Sequence, residues 1–179
     1  MTGCWGWFKR IGAPVLDGRR VPAWIVMLLI LFGCGERPSL QIWHDFEPEG
    51  EFRADMLGDE IRSLEDYIEL EDALFEEVDR EIYAHVPTGP AMQLERYSRG
   101  SAADPAVRSE NWNRTFEWAV PDPRGAVLLL HGMSDSPYSL RALGEGMRKA
   151  GYHVLGLRLP GHGTVPAALR SVRWSDLAA

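Results

Sequence analysis

The sequence predicts an α/β fold, in which part of a parallel sheet is preceded by an apolar leader and an acidic amphipathic helix. Two apolar segments, residues 126–130 and 152–159, have the length and composition of strands, and the segment between them has helical spacing. The first segment, AVLLL, is a continuous apolar run that suits a strand buried on both faces of a parallel sheet. A strand, a helix and a second strand in this order make one βαβ unit.

Residues 1–34 predict a targeting signal. Basic residues precede the apolar run 23–32, AWIVMLLILF, which is too short to span a membrane at about 20 residues but fits a signal-peptide core of about 7 to 15. The sequence LFGC at residues 31–34 resembles a bacterial lipoprotein signal. The resemblance implies cleavage before Cys34 and lipidation of its thiol, which would anchor the protein to the periplasmic or extracellular face of a bacterial membrane. A single uncleaved signal anchor is the alternative.

Two acidic segments follow the leader. Residues 35–54 contain two prolines, two glycines and scattered charges without a period, which predicts a tether without fixed structure. Residues 55–110 are expected to form an acidic amphipathic helix and a linker. The helix is predicted from Leu57 to about His85, because the proline after Val86 pushes that residue out of the α region. Its apolar positions recur at spacings of three, four and seven residues: Leu57, Ile61, Leu64, Ile68, Phe75, Val78 and Ile82.

Glu71 interrupts the apolar face of this predicted helix. The heptad pattern is also barely four repeats long. We therefore expect the helix to pack on its own domain, with a coiled coil or a partner-binding helix as the alternative.

Composition argues against several classes of function. The net charge is −7 and no basic stripe is present, so the chain offers nothing to neutralise nucleic-acid phosphates. His44 and Asp45 form a lone pair without further ligands, so we expect no metal site and no cofactor. Residues 113–115 match the N-glycosylation pattern, which has no meaning in a protein with a bacterial lipoprotein leader.

Residues 111–179 contain the segment with the clearest secondary-structure pattern. A strand is predicted over 115–120, followed by the turn sequence PDPRG and the strand 126–130. The next helix is expected to have Ser136 as its N-cap and Pro137 at its first position, and to stop at Gly151. We expect its buried face to consist of Leu140, Leu143 and Met147.

The sequence VLLLHGMSDSPYSLRALGEGMRKAGYHVLGLRLPGHG resembles the α/β-hydrolase superfamily, near the monoacylglycerol lipase and serine aminopeptidase type. The resemblance covers about residues 112–179, and its HG-x and PGHG motifs frame one βαβ unit in the family's order. It implies the N-terminal part of an α/β-hydrolase sheet, with the HG-x loop helping to build the oxyanion hole. By position, Met133 would donate its backbone N–H, Gly132 would let the loop approach the substrate, and His131 would frame the loop.

The same resemblance assigns supporting roles to later residues. His162 of PGHG is expected to brace its loop between Gly161 and Gly163, and Trp174 and Asp176 are expected to open the next helix. A nucleophile elbow, G-x-S-x-G, is expected beyond Ala179, so this chain is interpreted as a fragment without the nucleophile and the triad acid and base.

Ser134 mimics a nucleophile in the sequence GMSDS, which follows a strand. The last glycine of the elbow is replaced there, and no acid and histidine follow in the required order. A loop or capping role is therefore favoured for Ser134.

These residues predict a membrane-anchored serine hydrolase of carboxylesterase, lipase or peptidase type. It would cleave a small-molecule ester or amide through an acyl-enzyme, and the chain alone would be inactive. The alternative is a catalytically inert, membrane-anchored interaction module whose acidic helix binds a partner.

Overall fold

Three short strands form a mixed sheet in the order β1-β3-β2. The computed structural model describes residues 39–108 and 110–179. β2 (Ala126–Leu130) and β3 (His153–Leu157) are parallel, whereas β1 (Phe116–Trp118) runs antiparallel to β3. This sheet and its helices are compatible with the α/β class. The leader and Cys34 lie outside the described residues.

The connection between β2 and β3 begins with a 3₁₀ turn, Pro137–Leu140, and continues as the helix Arg141–Lys149. Ser136 occupies the N-cap position of that turn and Pro137 its first position, as expected. The Ser136 side chain does not cap the turn, because its Oγ donates a hydrogen bond to Asn113 Oδ1 at 2.8 Å. Gly151, with a φ of 88°, follows the end of the helix.

The buried face of the helix Arg141–Lys149 differs from the prediction. Leu143 is 49% exposed, and the position facing the sheet is Gly144. A Cβ at Gly144 would lie 3.1 Å from Trp118 and 3.2 Å from Phe116. The prediction for Leu143 is wrong because the helix approaches the sheet through a residue without a side chain, while Leu140 and Met147 pack beside it.

The strand β2 is buried on one face. Leu129 is 8% exposed and packs with Phe116 and Val154, whereas Leu128 and Leu130 on the opposite face are 56% and 55% exposed. The prediction of burial on both faces is therefore wrong for the described part of the chain. The helix Arg141–Lys149 lies against the Leu129 face, and the other face borders an open apolar groove.

The acidic region contains two α-helices, α1 (Ile42–Asp45) and α2 (Leu64–Val78). Two further α-helices lie C-terminal to β2: α3 (Arg141–Lys149) and α4 (Trp174–Ala178). Further short 3₁₀ turns are formed by Ala54–Met56, Pro90–Met92, Pro105–Val107 and Pro166–Arg170.

Helix α2 begins seven residues later than the predicted start at Leu57. Ser63 and Asp66 form a capping box: Ser63 Oγ accepts from the Asp66 N–H at 3.1 Å, and Asp66 Oδ2 accepts from the Ser63 N–H at 2.9 Å. This cap fixes the start of the helix. At the other end, the π-helical turn Asp79–Tyr83 carries the chain to Ala84, close to the predicted end.

The end of the expected tether is packed against the rest of the protein. Glu51 and Phe52 are each 6% exposed, and Phe52 forms a cluster with Met56, Ile61 and Tyr67. The structure therefore differs from the expectation for this segment. This segment is held by a residue distant in sequence, since Arg158 forms an ion pair with Glu51.

Helix α2 packs its apolar side within the unit formed by residues 40–179. Val78 and Ile82 belong to a buried cluster with residues of the later loops: Tyr83, Val86, Tyr97, Val165 and Ala168. Among the described residues, no helix has the length and apolar character needed to cross a membrane.

Candidate active site

The carboxyl ends of the parallel strands β2 and β3 carry two loops that lie side by side. We call residues 131–136 the HG loop and residues 158–164 the PGHG loop. His131 joins them, because its Nε2 accepts a hydrogen bond from the Leu159 N–H at 3.0 Å. Its Nδ1 lies 3.0 Å from the Gly132 carbonyl oxygen, which can only accept, so Nδ1 carries the proton.

Both nitrogens of His131 are therefore engaged when the ring is neutral. His131 is 5% exposed, and burial lowers its pKa below the ordinary value. A neutral histidine with both nitrogens hydrogen-bonded suits the framing role expected for it and is poorly placed to act as a base.

The HG loop turns sharply after Gly132. The Asp135 N–H donates to the Gly132 carbonyl at 3.2 Å, and Ser134 adopts a left-handed φ of 62°. Met133 is 76% exposed, so its side chain contributes little to the packing of the loop. Among residues 39–108 and 110–179, no oxygen accepts a hydrogen bond from the Met133 N–H. This donor is available to a ligand, as an oxyanion hole requires.

Asp135 fixes the far end of the HG loop. One carboxylate oxygen accepts from the Ser139 hydroxyl at 2.6 Å, and the other accepts from the Ser136 N–H at 2.8 Å. The hydrogen bond from Ser139 is the main cause that lowers the pKa of Asp135. Asp135 thus holds the start of the following 3₁₀ turn.

Asn113 connects the two loops, a role that the sequence did not indicate. The side chain is 3% exposed. Its Oδ1 accepts from Ser136 Oγ at 2.8 Å, and its Nδ2 donates to the Gly163 carbonyl at 3.0 Å. In the sequence, this residue had appeared only in an N-glycosylation pattern.

The PGHG loop depends on left-handed glycines. Gly161 and Gly163 have φ values of 76° and 77°, and a Cβ at Gly161 would lie 2.5 Å from a methyl group of Val172. His162 is 2% exposed and its Nδ1 donates to the Pro160 carbonyl at 2.8 Å. This contact holds the turn, in keeping with the bracing role expected for His162. Within the described residues, His162 Nε2 and Thr164 Oγ1 are buried without a hydrogen-bond partner.

Arg158, at the start of the PGHG loop, is the centre of a buried ion cluster. It is 1% exposed and forms a forked contact with Glu51, with Nη2 at 2.9 Å from Oε1 and Nη1 at 3.2 Å from Oε2. Its Nε donates to Glu71 Oε1 at 2.9 Å. Sequence reasoning missed this cluster. The available signals were one arginine near the end of the mostly apolar segment 152–159, and one glutamate, Glu71, on the apolar face of a helix.

A cleft of about 230 Å³ lies where the two loops meet. Its walls include Ser134, Asp135, His162 and Thr164, and Arg96 borders it, donating to the Gly163 carbonyl at 3.1 Å. Ser134 is exposed, and none of the described histidines forms a hydrogen bond with its hydroxyl. This geometry supports a loop role for Ser134 rather than that of an activated nucleophile.

Trp174 and Asp176 lie in α4, the helix they were expected to open. Asp176 accepts from the Arg173 N–H at 2.8 Å and from the Ala54 N–H at 2.9 Å. The hydrogen bond from Ala54, followed by that from Arg173, lowers the pKa of Asp176. Trp174 is 81% exposed. Asp176 therefore supports the structure by fixing the N-terminal segment to the end of the chain.

The comparisons with known proteins match a short part of this chain. Over 38 residues it is 55% identical to a thermostable monoacylglycerol lipase of Bacillus sp. (strain H-257), a match covering 21% of this chain and 15% of that protein. A solved structure from the metagenome-derived lipolytic enzymes LipS and LipT is 39% identical, covering 37% of this chain and 26% of that one, with a TM-score of 0.34. No protein-family model matches the chain.

The chain spans less than one sixth of the length of the lipase that it matches. The match is confined to 38 residues, and over that segment it indicates an α/β-hydrolase relationship.

Proposed function

We propose that this protein is a serine hydrolase of carboxylesterase, lipase or peptidase type, in which the HG loop supplies an oxyanion donor. The observation that carries the proposal is the Met133 N–H, just beyond the carboxyl end of β2, which has no hydrogen-bond partner among the residues that the structure describes. The local similarity to a lipolytic enzyme supports the same reaction class.

The residues of this chain would stabilise the transition state rather than attack the substrate. In acyl transfer, a serine attacks the carbonyl carbon and the carbonyl oxygen becomes an oxyanion. The Met133 N–H would donate to that oxyanion, and Gly132, with no atom within 4 Å of its Cβ position, leaves room for the substrate. His131 and Asn113 would hold the donor in place through their bonds to both loops. The nucleophile is proposed to lie outside residues 1–179.

We also propose that Cys34 is lipidated, on the basis of the LFGC sequence, so that the enzyme acts on small-molecule esters or amides at a bacterial membrane surface. Helix α2 packs its apolar side against its own unit. This packing favours the enzyme over the interaction module, because a partner-binding helix needs an unoccupied apolar face.

Labelling with a fluorophosphonate probe tests the proposal. The 179-residue chain should remain unlabelled, whereas a longer product of the same gene should be labelled at one serine in a G-x-S-x-G sequence. Heat-denatured protein serves as the control for non-specific reaction. Stoichiometric labelling of Ser134 would show that this serine is the nucleophile. No labelling of a longer product that contains such a serine would contradict a serine-hydrolase function.

A further inference from the structure

The ion cluster around Arg158 joins three parts of the chain that are distant in sequence. Glu51 belongs to the N-terminal segment, Glu71 to α2, and Arg158 to the start of the PGHG loop. All three side chains are at most 7% exposed. We propose that Arg158 is a positioning residue for the PGHG loop, and that Glu51 and Glu71 act on the loop through it.

The contact that couples the cluster to the loop is made by Arg158 Nη1. It donates to the His162 carbonyl at 3.1 Å, inside the turn that borders the cleft. The same Nη1 lies 3.2 Å from Glu51 Oε2. A guanidinium is planar and rigid, so the carboxylate that fixes its plane also fixes the direction of its N–H toward His162.

The backbone of Arg158 is held from both sides as well. Its N–H donates to Thr115 Oγ1 at 3.0 Å, and its carbonyl accepts from the Tyr67 hydroxyl at 2.7 Å. The Thr115 N–H in turn donates to Glu71 Oε1 at 3.0 Å. Both ends of the arginine are therefore fixed, so a change at Glu51 is transmitted to the loop rather than absorbed by a mobile side chain.

The cluster contains two carboxylates and one guanidinium, all withdrawn from water. A buried charge that loses its partner is strongly unfavourable, because neither solvent nor a counter-ion compensates it. Removing the Glu51 charge leaves Glu71 to pair with Arg158, so the protein can remain folded while the guanidinium loses its forked partner. Glu51 thus belongs to the supporting structure of the candidate site.

The inference deepens the proposed function, since positioning matters for catalysis only if the HG and PGHG loops serve a reaction. Loop positioning itself can be measured without any hydrolysis. Hydrogen–deuterium exchange on the full chain reports separately on the PGHG loop, on the segment around Glu51 and on the strands β2 and β3.

The variant that tests the inference is Glu51→Gln, and its matched control is Glu47→Gln. Glu47 lies four residues earlier and pairs with Arg170, but both side chains are about half exposed. Glu51→Gln should accelerate exchange of the amides in residues 161–164 by about tenfold or more, while β2 and β3 remain protected. Glu47→Gln should leave all of these rates unchanged, because exposed pairs contribute little.

A second variant, Arg158→Lys, keeps the charge but removes the forked geometry, and it should also accelerate exchange in the PGHG loop. If a longer gene product hydrolyses esters, Glu51→Gln should lower kcat and leave KM nearly unchanged. Wild-type exchange in residues 161–164 of both variants would overturn the inference, as would equal acceleration throughout the sheet. An absence of hydrolysis in every variant, with the exchange pattern as expected, would contradict the proposed function alone.

Discussion

The two loops at the ends of β2 and β3 differ in how much of each is open to solvent. In the HG loop, Met133 and Ser134 are exposed, and the Met133 N–H has no hydrogen-bond partner within the described part of the chain. In the PGHG loop, Gly161 and His162 are buried, the His162 carbonyl accepts from Arg158, and the Gly163 carbonyl accepts from Asn113. We infer from this comparison that the HG loop is arranged to bind a ligand, whereas the PGHG loop supports the HG loop.

The largest expected effect comes from removing the support of the PGHG loop. Arg158→Met leaves Glu51 and Glu71 buried without their counter-ion, so the free energy of unfolding should fall by about 3–5 kcal/mol. Urea denaturation of the full chain measures it. Arg170→Met, which breaks an exposed pair, should cost about 1 kcal/mol or less. Equal losses in the two variants would mean that the Arg158 cluster contributes no more than a surface pair.

Asn113 tests whether the two loops depend on each other. Asn113→Ala leaves the Ser136 hydroxyl and the Gly163 carbonyl without this partner, at a cost of about 1–3 kcal/mol in the free energy of unfolding. Asn111→Ala removes one hydrogen bond, to the Asn113 N–H, and should cost about 1 kcal/mol. Denaturant titrations of both variants give the difference. A smaller loss at Asn113 than at Asn111 would argue against a link between the loops.

The left-handed turn of the PGHG loop gives a third test. Gly161→Ala places a Cβ near Val172 at a φ of 76°, so we expect a loss of about 1–2 kcal/mol, with the melting temperature reduced accordingly. Gly146, in α3, has no atom within 4 Å of its Cβ position. Gly146→Ala should therefore stabilise the protein by up to about 1 kcal/mol. Destabilisation by Gly146→Ala together with tolerance of Gly161→Ala would refute this explanation.

The smallest expected effect concerns the pH dependence of stability. Burial lowers the pKa of folded His131 below its ordinary value of 6.5, so below that pH the unfolded chain takes up a proton that the folded chain resists. The stability is fully present above about pH 6.5 and decreases as the pH falls. His131→Gln should flatten this part of the profile, because glutamine does not titrate. An unchanged profile in His131→Gln would contradict a buried neutral ring.

Local patterns in the sequence predicted the elements of the βαβ unit. The strand positions, Ser136 and Pro137 at the start of the connection, and Gly151 after the helix follow from short-range steric preferences. The buried face of α3 was predicted less well, because periodicity assigns Leu143 to the core while the close approach of the helix depends on Gly144.

The supporting residues could not be predicted in the same way. Glu51 and Arg158 are 107 residues apart, and neither belongs to the HG-x or PGHG motif itself. Glu71 looked like an interruption of an apolar face because its partner was unknown. The same lack of long-range information made residues 35–54 look like a tether, although Phe52 is buried. Pairing between distant residues is set by the fold and leaves no period in the sequence.

The donor assigned to Met133 is the central claim, and the acylation rate of a longer, active gene product with an activated ester tests it most directly. Met133→Pro removes the backbone N–H and should slow acylation by about a hundredfold or more, the usual scale for a lost oxyanion donor. Met133→Ala keeps the N–H and removes an exposed side chain, so its rate should stay close to that of the wild type. Equal damage by the two substitutions, or none by either, would contradict a backbone role for Met133.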